Sequence, residues 1–377
     1  MMNPLTRRRG VSLKLAAAVG ILGLGLTACA DGSSATESGD SSNDATVELN
    51  VVSWATPASL SEVMGNWWYE EVEARSDGRI TFNVAAADSL CSATEIPECV
   101  RDGRADIGQT LTDYSSQLFP MASIASIPFL SPGSEAVSKA IYDLSTEHEG
   151  AAALWERNNL KPLSHLPPGR MLIGSHEEVS SIDDLKGLRM RMAGRFAQHA
   201  VEAAGATSVA IPAPETYEAL ERGVADVAGF PLEGTAAYQL RDVLAHWTDP
   251  GVGTYTTIGM WINNDVYEGL DPELRAVIDE VTAEFNEEAA YTFFTDVSKE
   301  QCDGLLDTVG DLTQWDQAEQ DRWQEVFTVD IEQLWVEEAE RDGLEDAAGY
   351  LASYKEKIAE YTDSSDLDPT IACAERN

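Results

Sequence analysis

Basic residues are scarce in this 377-residue chain: 25 Lys and Arg stand against 65 Asp and Glu, for a formal net charge of -40. A surface this acidic repels nucleic acid and anionic lipid, which argues against binding either. Histidine is equally sparse, and His148, His165, His176, His199 and His246 stand singly, without metal-ligand spacing. The sequence contains no G-x-S-x-G, H-E-x-x-H, G-x-x-x-x-G-K-[ST] or EF-hand pattern. The expectation is therefore no enzyme, no metal and no cofactor. What the chain does hold is core material, with 44% hydrophobic residues and nine Trp, so neither a disordered polymer nor a membrane bundle fits most of it. Its length exceeds what one core fills efficiently, and two lobes are expected.

The N-terminus is the exception to the acidity. "TRRRG" is a positive leader, "VSLKLAAAVGILGLGL" a short apolar run and "LTAC" a small-residue box ending at Cys29. Residues 1–28 resemble a bacterial lipoprotein signal peptide, in which Cys29 becomes the lipidated first residue of the mature chain. The apolar run is short for a membrane span, although an uncleaved anchor is the alternative, and Arg7 and Arg8 leave twin-arginine export open. "ADGSSATESGDSSNDAT" holds no large apolar residue before Val47, so residues 29–46 are expected to be a flexible tether lifting the folded part off the membrane.

Four cysteines remain, in an extracytoplasmic setting where disulfides persist. Closeness in "SLCSATEIPEC" favours Cys91–Cys99, which leaves Cys302–Cys373; the two other connectivities stay open. No histidine lies near either pair to support a metal site.

Strand and helix patterns alternate along the chain. "VELNVVSWATP" and "ITFNVAAA" read as strands flanking a helix with Leu60, Val63, Met64 and Trp67 on one face, and "ECVRDGRADIGQT" as a helix end followed by a buried strand. The alternation restarts near "LKPLSHL", with strands at "RMLIGS", "GLRMRMA" and "TSVAI" and helices at "RFAQHAVEAAG" and "PETYEALERG". This is the signature of βαβ units on largely parallel sheets. After a strand at "TTIGMWINN" the style changes to long helices. Asp271 and Pro272 start one striped by Leu274, Val277, Ile278, Val281 and Phe285, and a second runs through Trp323, Val326, Phe327, Ile331, Leu334 and Trp335.

Against the acidic background, "LKGLRMRMAGR" concentrates Lys186, Arg189, Arg191 and Arg195. On a strand, Arg189 and Arg191 share one face and Met190 and Met192 the other, and the C-terminal end of such a strand is where open α/β sheets bind ligands. An arginine there can offer two parallel N–H donors to a carboxylate. The competing reading, that these arginines pair with the protein's own acids, remains open on composition.

The stretch from Asp184 to Leu232, "DLKGLRMRMAGRFAQHAVEAAGATSVAIPAPETYEALERGVADVAGFPL", resembles the central signature of the substrate-binding proteins of tripartite ATP-independent periplasmic (TRAP) transporters, of the C4-dicarboxylate-binding type. That signature is a "DLKG-[LM]-[KR]-x-R" strand, then "E-x-Y-x-AL-x-x-G-x-x-D" and a Pro-containing loop. "VEARSDGRITFNV", "VRDGRADIGQT" and "SIPFLSPGS" follow the same family's order.

The resemblance implies an α/β, two-lobe periplasmic-binding-protein-like fold with a long bracing helix and C-terminal helices. Lobe 1 would comprise 47–165 plus about 256–300, lobe 2 166–255 plus about 301–361, and 362–377 a C-terminal tail. It implies an extracytoplasmic, lipid-anchored receptor that passes a carboxylate to integral-membrane permease subunits. Arg191 falls on the family's carboxylate-clamping arginine, and Arg170 in "PPGRMLIGS" on another arginine near the carboxylate.

The chain departs from the family at Phe230, where the family often has Asn, which suggests a more apolar ligand. It also departs at the cysteine loop, where Glu95 would take the ligand-proximal acidic position. Glu215 and Tyr217 match "E-x-Y" at a helix start. Strand-end position alone adds Trp54, Asp113 and Tyr114 as cleft candidates. The alternatives are the receptor of an ATP-driven (ABC) importer and, from another class, a secreted hydrolase.

Overall fold

A computed structural model describes residues 46–376 apart from 58 and 167; the expected signal peptide, Cys29 and the tether up to residue 45 lie outside the described residues. The first sheet begins with β1 (Val47–Ser53), α1 (Leu60–Arg75), β2 (Ile80–Val84), α2 (Ile96–Arg101) and β3 (Ile107–Leu111), in which β1 lies between parallel β2 and β3. The Ser59 side chain caps α1 by accepting from the Glu62 N–H. The helix buries Leu60, Met64, Trp68 and Val72, one residue per turn. Val63 and Trp67, expected on that stripe, are only half-buried. Trp67 serves a different neighbour, stacking on Phe285 with ring centroids 5.5 Å apart.

Two helices, α3 (Ser134–Glu147) and α4 (Glu149–Arg157), lead to β4 (Leu160–Leu166). Rather than opening the second half, β4 closes the edge of the first sheet, antiparallel to a strand that returns from the far side of the second.

The second sheet takes β5 (Leu172–Ser175), β6 (Arg189–Met192), α5 (Arg195–Ala203), β7 (Thr207–Ala210), α6 (Thr216–Glu221), β8 (Val227–Phe230) and β9 (His246–Asp249). Here β6 lies between parallel β7 and β8, and β5 runs antiparallel to β8 and β9. The chain then crosses back as β10 (Ile258–Asn263), so that the sheet orders are β2-β1-β3-β10-β4 and β11-β9-β5-β8-β6-β7, with β11 (Thr313–Gln314) a two-residue edge.

The two crossing segments pair with each other: Arg170 bridges Thr254, the Met171 N–H donates to the Gly253 carbonyl at 2.9 Å, and the Tyr255 N–H to the Gly169 carbonyl at 2.9 Å. Both glycines sit at positive φ, Gly169 at +93° and Gly253 at +101°, which other residues rarely adopt.

A third connection is helical. After α7 (Asn264–Gly269), α8 (Pro272–Glu284) continues through a π-turn at Phe285–Ala289 into α9 (Ala290–Val309). This long element touches both halves. The Trp68 indole donates to Thr282 at 3.2 Å and the Asn286 amide to the Leu163 carbonyl at 2.7 Å on one side, while Arg241 donates to the Gln301 carbonyl at 2.7 Å on the other. The π-turn matches the placement of Asn286, whose amide also donates to the Thr282 carbonyl at 2.7 Å.

The second long helix expected through Trp323 and Trp335 is two: α10 (Gln317–Glu325) and α11 (Ile331–Arg341). The break falls at "FTVD", where Asp330 caps α11 by accepting from the Gln333 N–H at 3.0 Å. Beyond α12 (Ala347–Ser364), the expected tail is ordered as α13 (Pro369–Ala374), packed on α9. Asp368 anchors it by accepting from the Ser134 N–H at 3.2 Å, and a Cys302–Cys373 disulfide ties it to α9. Cys91 and Cys99 form a second disulfide at the start of α2.

Candidate functional site

The C-terminal ends of the parallel strands in both sheets face one cleft. Trp54, Leu60 and Leu111 come from the first sheet's side, Arg191, Ala213, Phe230, Glu233 and Tyr238 from the second's, and Pro168, Tyr255 and Ile258 from the crossing segments. Four aromatic rings stand in the walls. Trp54 stacks on Tyr238 at 5.7 Å, and Phe230 lies 5.5 Å from Tyr238 and 6.2 Å from Tyr255.

The cation cluster divides. Lys186 pairs with Asp183 at 2.6 Å, Arg189 with Asp226 through two nitrogens, and Arg195 with Glu338 at 2.6 Å and Asp342 at 3.4 Å. Arg191 pairs with no carboxylate among the described residues. Although fully buried, it gives Nε to the Ile211 carbonyl at 2.8 Å and Nη1 to the Gly229 carbonyl at 3.0 Å and to the Tyr255 hydroxyl. Its Nη2 has no partner among the described residues, and its guanidinium carbon stands 4.7 Å from the Phe230 ring centroid.

Three neutral acceptors therefore orient the fork without cancelling its charge. A buried guanidinium in that state costs several kcal/mol and is relieved by an anion. The reading that arginines here serve internal acids holds for Arg189 and Arg195 and fails for Arg191. Although they share one face of β6, Arg189 sits at its exposed start and Arg191 at its buried end.

Among the other expected residues, Trp54 and Phe230 line the cleft, and Tyr114 stands at its edge, beside the Arg191 guanidinium and 6.4 Å from the Trp54 ring. Arg170 is buried but held by the protein itself: Nε and Nη2 donate to Asp249 at 2.8 and 3.3 Å, and Nη1 to the Pro132 carbonyl at 2.6 Å. Its donors secure the crossing. Asp113 accepts from Ser126 at 3.2 Å and from Thr256, which pins the loop after β3 to the other crossing segment; burial pushes its carboxyl up to about 6. Glu95 sits at the start of α2, where Ser92 donates to it from its hydroxyl at 2.7 Å and its N–H at 3.2 Å and lowers its pKa. Tyr114 bridges the halves, its hydroxyl accepting from the Ala213 N–H at 2.7 Å. Tyr217 packs on the core and its hydroxyl donates to Glu221 at 3.3 Å, and Glu215 precedes α6.

Sequence reasoning missed Glu233, Tyr238 and Tyr255. Glu233 carried a signal, as an acid embedded in the apolar run "AGFPLEGTAAY". Only 3% exposed, it has Ser298 Oγ 2.6 Å from its Oε1 and no partner on Oε2, and burial pushes its carboxyl up to about 8.

Two α/β halves joined by three crossings, with an arginine between them that pairs with no acid among the described residues, define a bilobal fold. Comparison with known proteins agrees. The family model DctP, bacterial extracellular solute-binding protein, family 7, matches residues 54–338, and the chain belongs to this family of solute-binding receptors.

Among curated relatives, the outer membrane transporter protein TsaT of Comamonas testosteroni is 23% identical over 58% of this chain. The match covers 64% of that relative, a little under two thirds of its length. A TRAP solute-binding protein of Rhodoferax ferrireducens T118, solved with copurified benzoate, superposes with a TM-score of 0.77 at 23% identity, covering 85% of this chain and 100% of its own. A marine-metagenome TRAP protein specific for aromatic acids, solved with 3-hydroxybenzoate, gives 0.76 at 26% identity, covering 84% of this chain and 99% of its own. Among the described residues, no helix is long and apolar enough to cross a membrane.

Proposed function

We propose that this chain is an extracytoplasmic receptor that closes its two lobes over a carboxylate-bearing metabolite and delivers it to the permease of a TRAP-type transporter. Arg191 carries the reading: a fully buried guanidinium with an unpartnered Nη2, in an aromatic cleft, with no acid of its own. Trp54 and Phe230 supply apolar walls. Because Arg170 is occupied by Asp249, one cation faces the ligand among the described lining residues. The match is therefore a single carboxylate on an apolar or aromatic body, and the relatives solved with benzoate and 3-hydroxybenzoate support that chemistry.

The lipid anchor at Cys29 belongs to the same proposal, with residues 1–28 removed on export. So does the division into lobes at the two crossings, with 47–165 and about 256–300 on one side.

A thermal-shift panel of benzoate, its hydroxylated and aliphatic analogues, succinate and the neutral amide benzamide tests the reading, since binding only to the native state raises its stability. At least one acid should raise the midpoint and benzamide should not. Equal stabilisation by benzamide, or none by any acid, contradicts it.

A further inference from the structure

Glu233 is the one acid that lines the cleft among the described residues, and it stands there without a cation. Its surroundings say which form it takes. Ser298 Oγ lies 2.6 Å from Glu233 Oε1 and also 2.6 Å from the Phe294 carbonyl oxygen. A hydroxyl has one proton, and a carbonyl can only accept. With the hydroxyl proton on Phe294, a proton on Glu233 completes the chain, Oε1–H to Ser298 Oγ and Ser298 O–H to Phe294.

An ionised Glu233 would instead take the Ser298 proton, which leaves Ser298 Oγ and the Phe294 carbonyl oxygen facing each other at 2.6 Å with none between them and a buried charge uncompensated. Desolvation acts the same way, raising the carboxyl to about 8. A neutral Glu233 also leaves Arg191 to the ligand's anion, where an ionised one would compete for it and repel the incoming carboxylate.

This arrangement leaves Oε2 as an acceptor, buried and unpartnered, on a side chain that lines the ligand cleft. Gly169 makes room for it: a Cβ there would stand 2.4 Å from Oε2. An acceptor buried without a donor costs about 1–3 kcal/mol, and a ligand that supplies the donor recovers it.

We propose that Glu233 is a specificity-determining residue whose Oε2 selects carboxylic acids bearing a hydroxyl or amino donor on their apolar body over the same acids without it. The proposal rests on the carboxylate reading above and adds a second polar anchor to it. Sites built to hydrogen-bond a ligand hydroxyl reject the analogue that lacks it.

Calorimetry on the mature protein tests this with benzoate against 2-, 3- and 4-hydroxybenzoate, and phenylacetate against mandelate. Wild type should bind at least one hydroxylated acid about tenfold or more tighter than its parent. Glu233→Gln should keep that ratio, because its amide can donate to Ser298 and leave its oxygen facing the ligand. Glu233→Leu should bring the ratio towards one. A wild-type ratio near one for every pair, an unchanged ratio in Glu233→Leu, or a lost ratio in Glu233→Gln overturns the proposal and leaves the carboxylate reading standing.

If no acid binds wild type, the carboxylate reading falls and this inference with it. Should Glu233→Leu not fold, a crystal structure of wild type with its tightest hydroxylated acid decides. The ligand's donor is expected within about 3 Å of Oε2, and a donor turned away from Glu233 overturns the assignment.

Discussion

Removing Asp249 separates two accounts of Arg170, a ligand contact and a strut in the crossing between lobes. Both side chains are nearly inaccessible, at 7% and 0% exposure, and two of the guanidinium's nitrogens donate to the one carboxylate. Asp249→Ala leaves a buried cation hydrogen-bonded only to the Pro132 carbonyl, with Asp368 its remaining nearby acid, and it also orphans the Gly251 N–H, which donates to Asp249 at 2.8 Å. Breaking one side of a buried pair costs about 3–5 kcal/mol, most of it the uncompensated charge.

Replacing both partners with apolar residues, Arg170→Met with Asp249→Leu, removes that charge and should restore stability to within about 1 kcal/mol of wild type or exceed it. Urea unfolding of the two single variants and the double gives the cycle directly. The reasoning fails if Asp249→Ala costs under about 1 kcal/mol, or if Arg170→Met abolishes ligand binding while leaving stability unchanged; the second result would return Arg170 to the ligand.

Two further outcomes follow from buried groups and cross-links. His165 is fully buried with neither ring nitrogen partnered, and burial lowers its pKa to about 4 from the 6.5 of the unfolded chain. The unfolded state then binds the extra proton between those values, so stability is lost as pH falls from about 6.5 to 4, by up to roughly 3 kcal/mol. Asp113 and Glu233 slope the opposite way, so the difference between wild type and His165→Phe across that window isolates the effect; a pH-independent difference refutes it. Cys302 and Cys373 are 71 residues apart, and replacing both with Ser should cost roughly 4 kcal/mol by loop entropy, read as a lower urea midpoint, with an unchanged midpoint counting against the cross-link.

How much of this was legible in the sequence varied with how local its cause is. The β and α alternation is written in short-range periodicity, and β1, β2, β3, β6, β7 and β10 lie where the pattern places them. β9 and β11 carried no such signal: "HWTD" and Thr313–Gln314 are strands only because neighbours pair with them. Periodicity alone also could not show which sheet β4 joins, since its partner β10 lies almost a hundred residues on, although the resemblance put 160–165 in lobe 1.

That Arg191 lies at the buried end of β6 was readable because strand end is local, while its clamping role came only with the family resemblance. The occupation of Arg170 was not, because Asp249 sits 79 residues away. Glu233 acquires its role from Ser298 on a helix 65 residues downstream and from a glycine in the crossing, contacts that no spacing rule reaches.

The central claim is that Arg191 waits for a ligand's carboxylate. Calorimetry of Arg191→Lys against wild type, with the tightest acid from the thermal-shift panel, tests it most directly. Lysine keeps the charge and loses the fork, so affinity should fall by about 2 kcal/mol or more, roughly thirtyfold. Equal affinity in the two proteins, with the variant fully folded, would contradict the account.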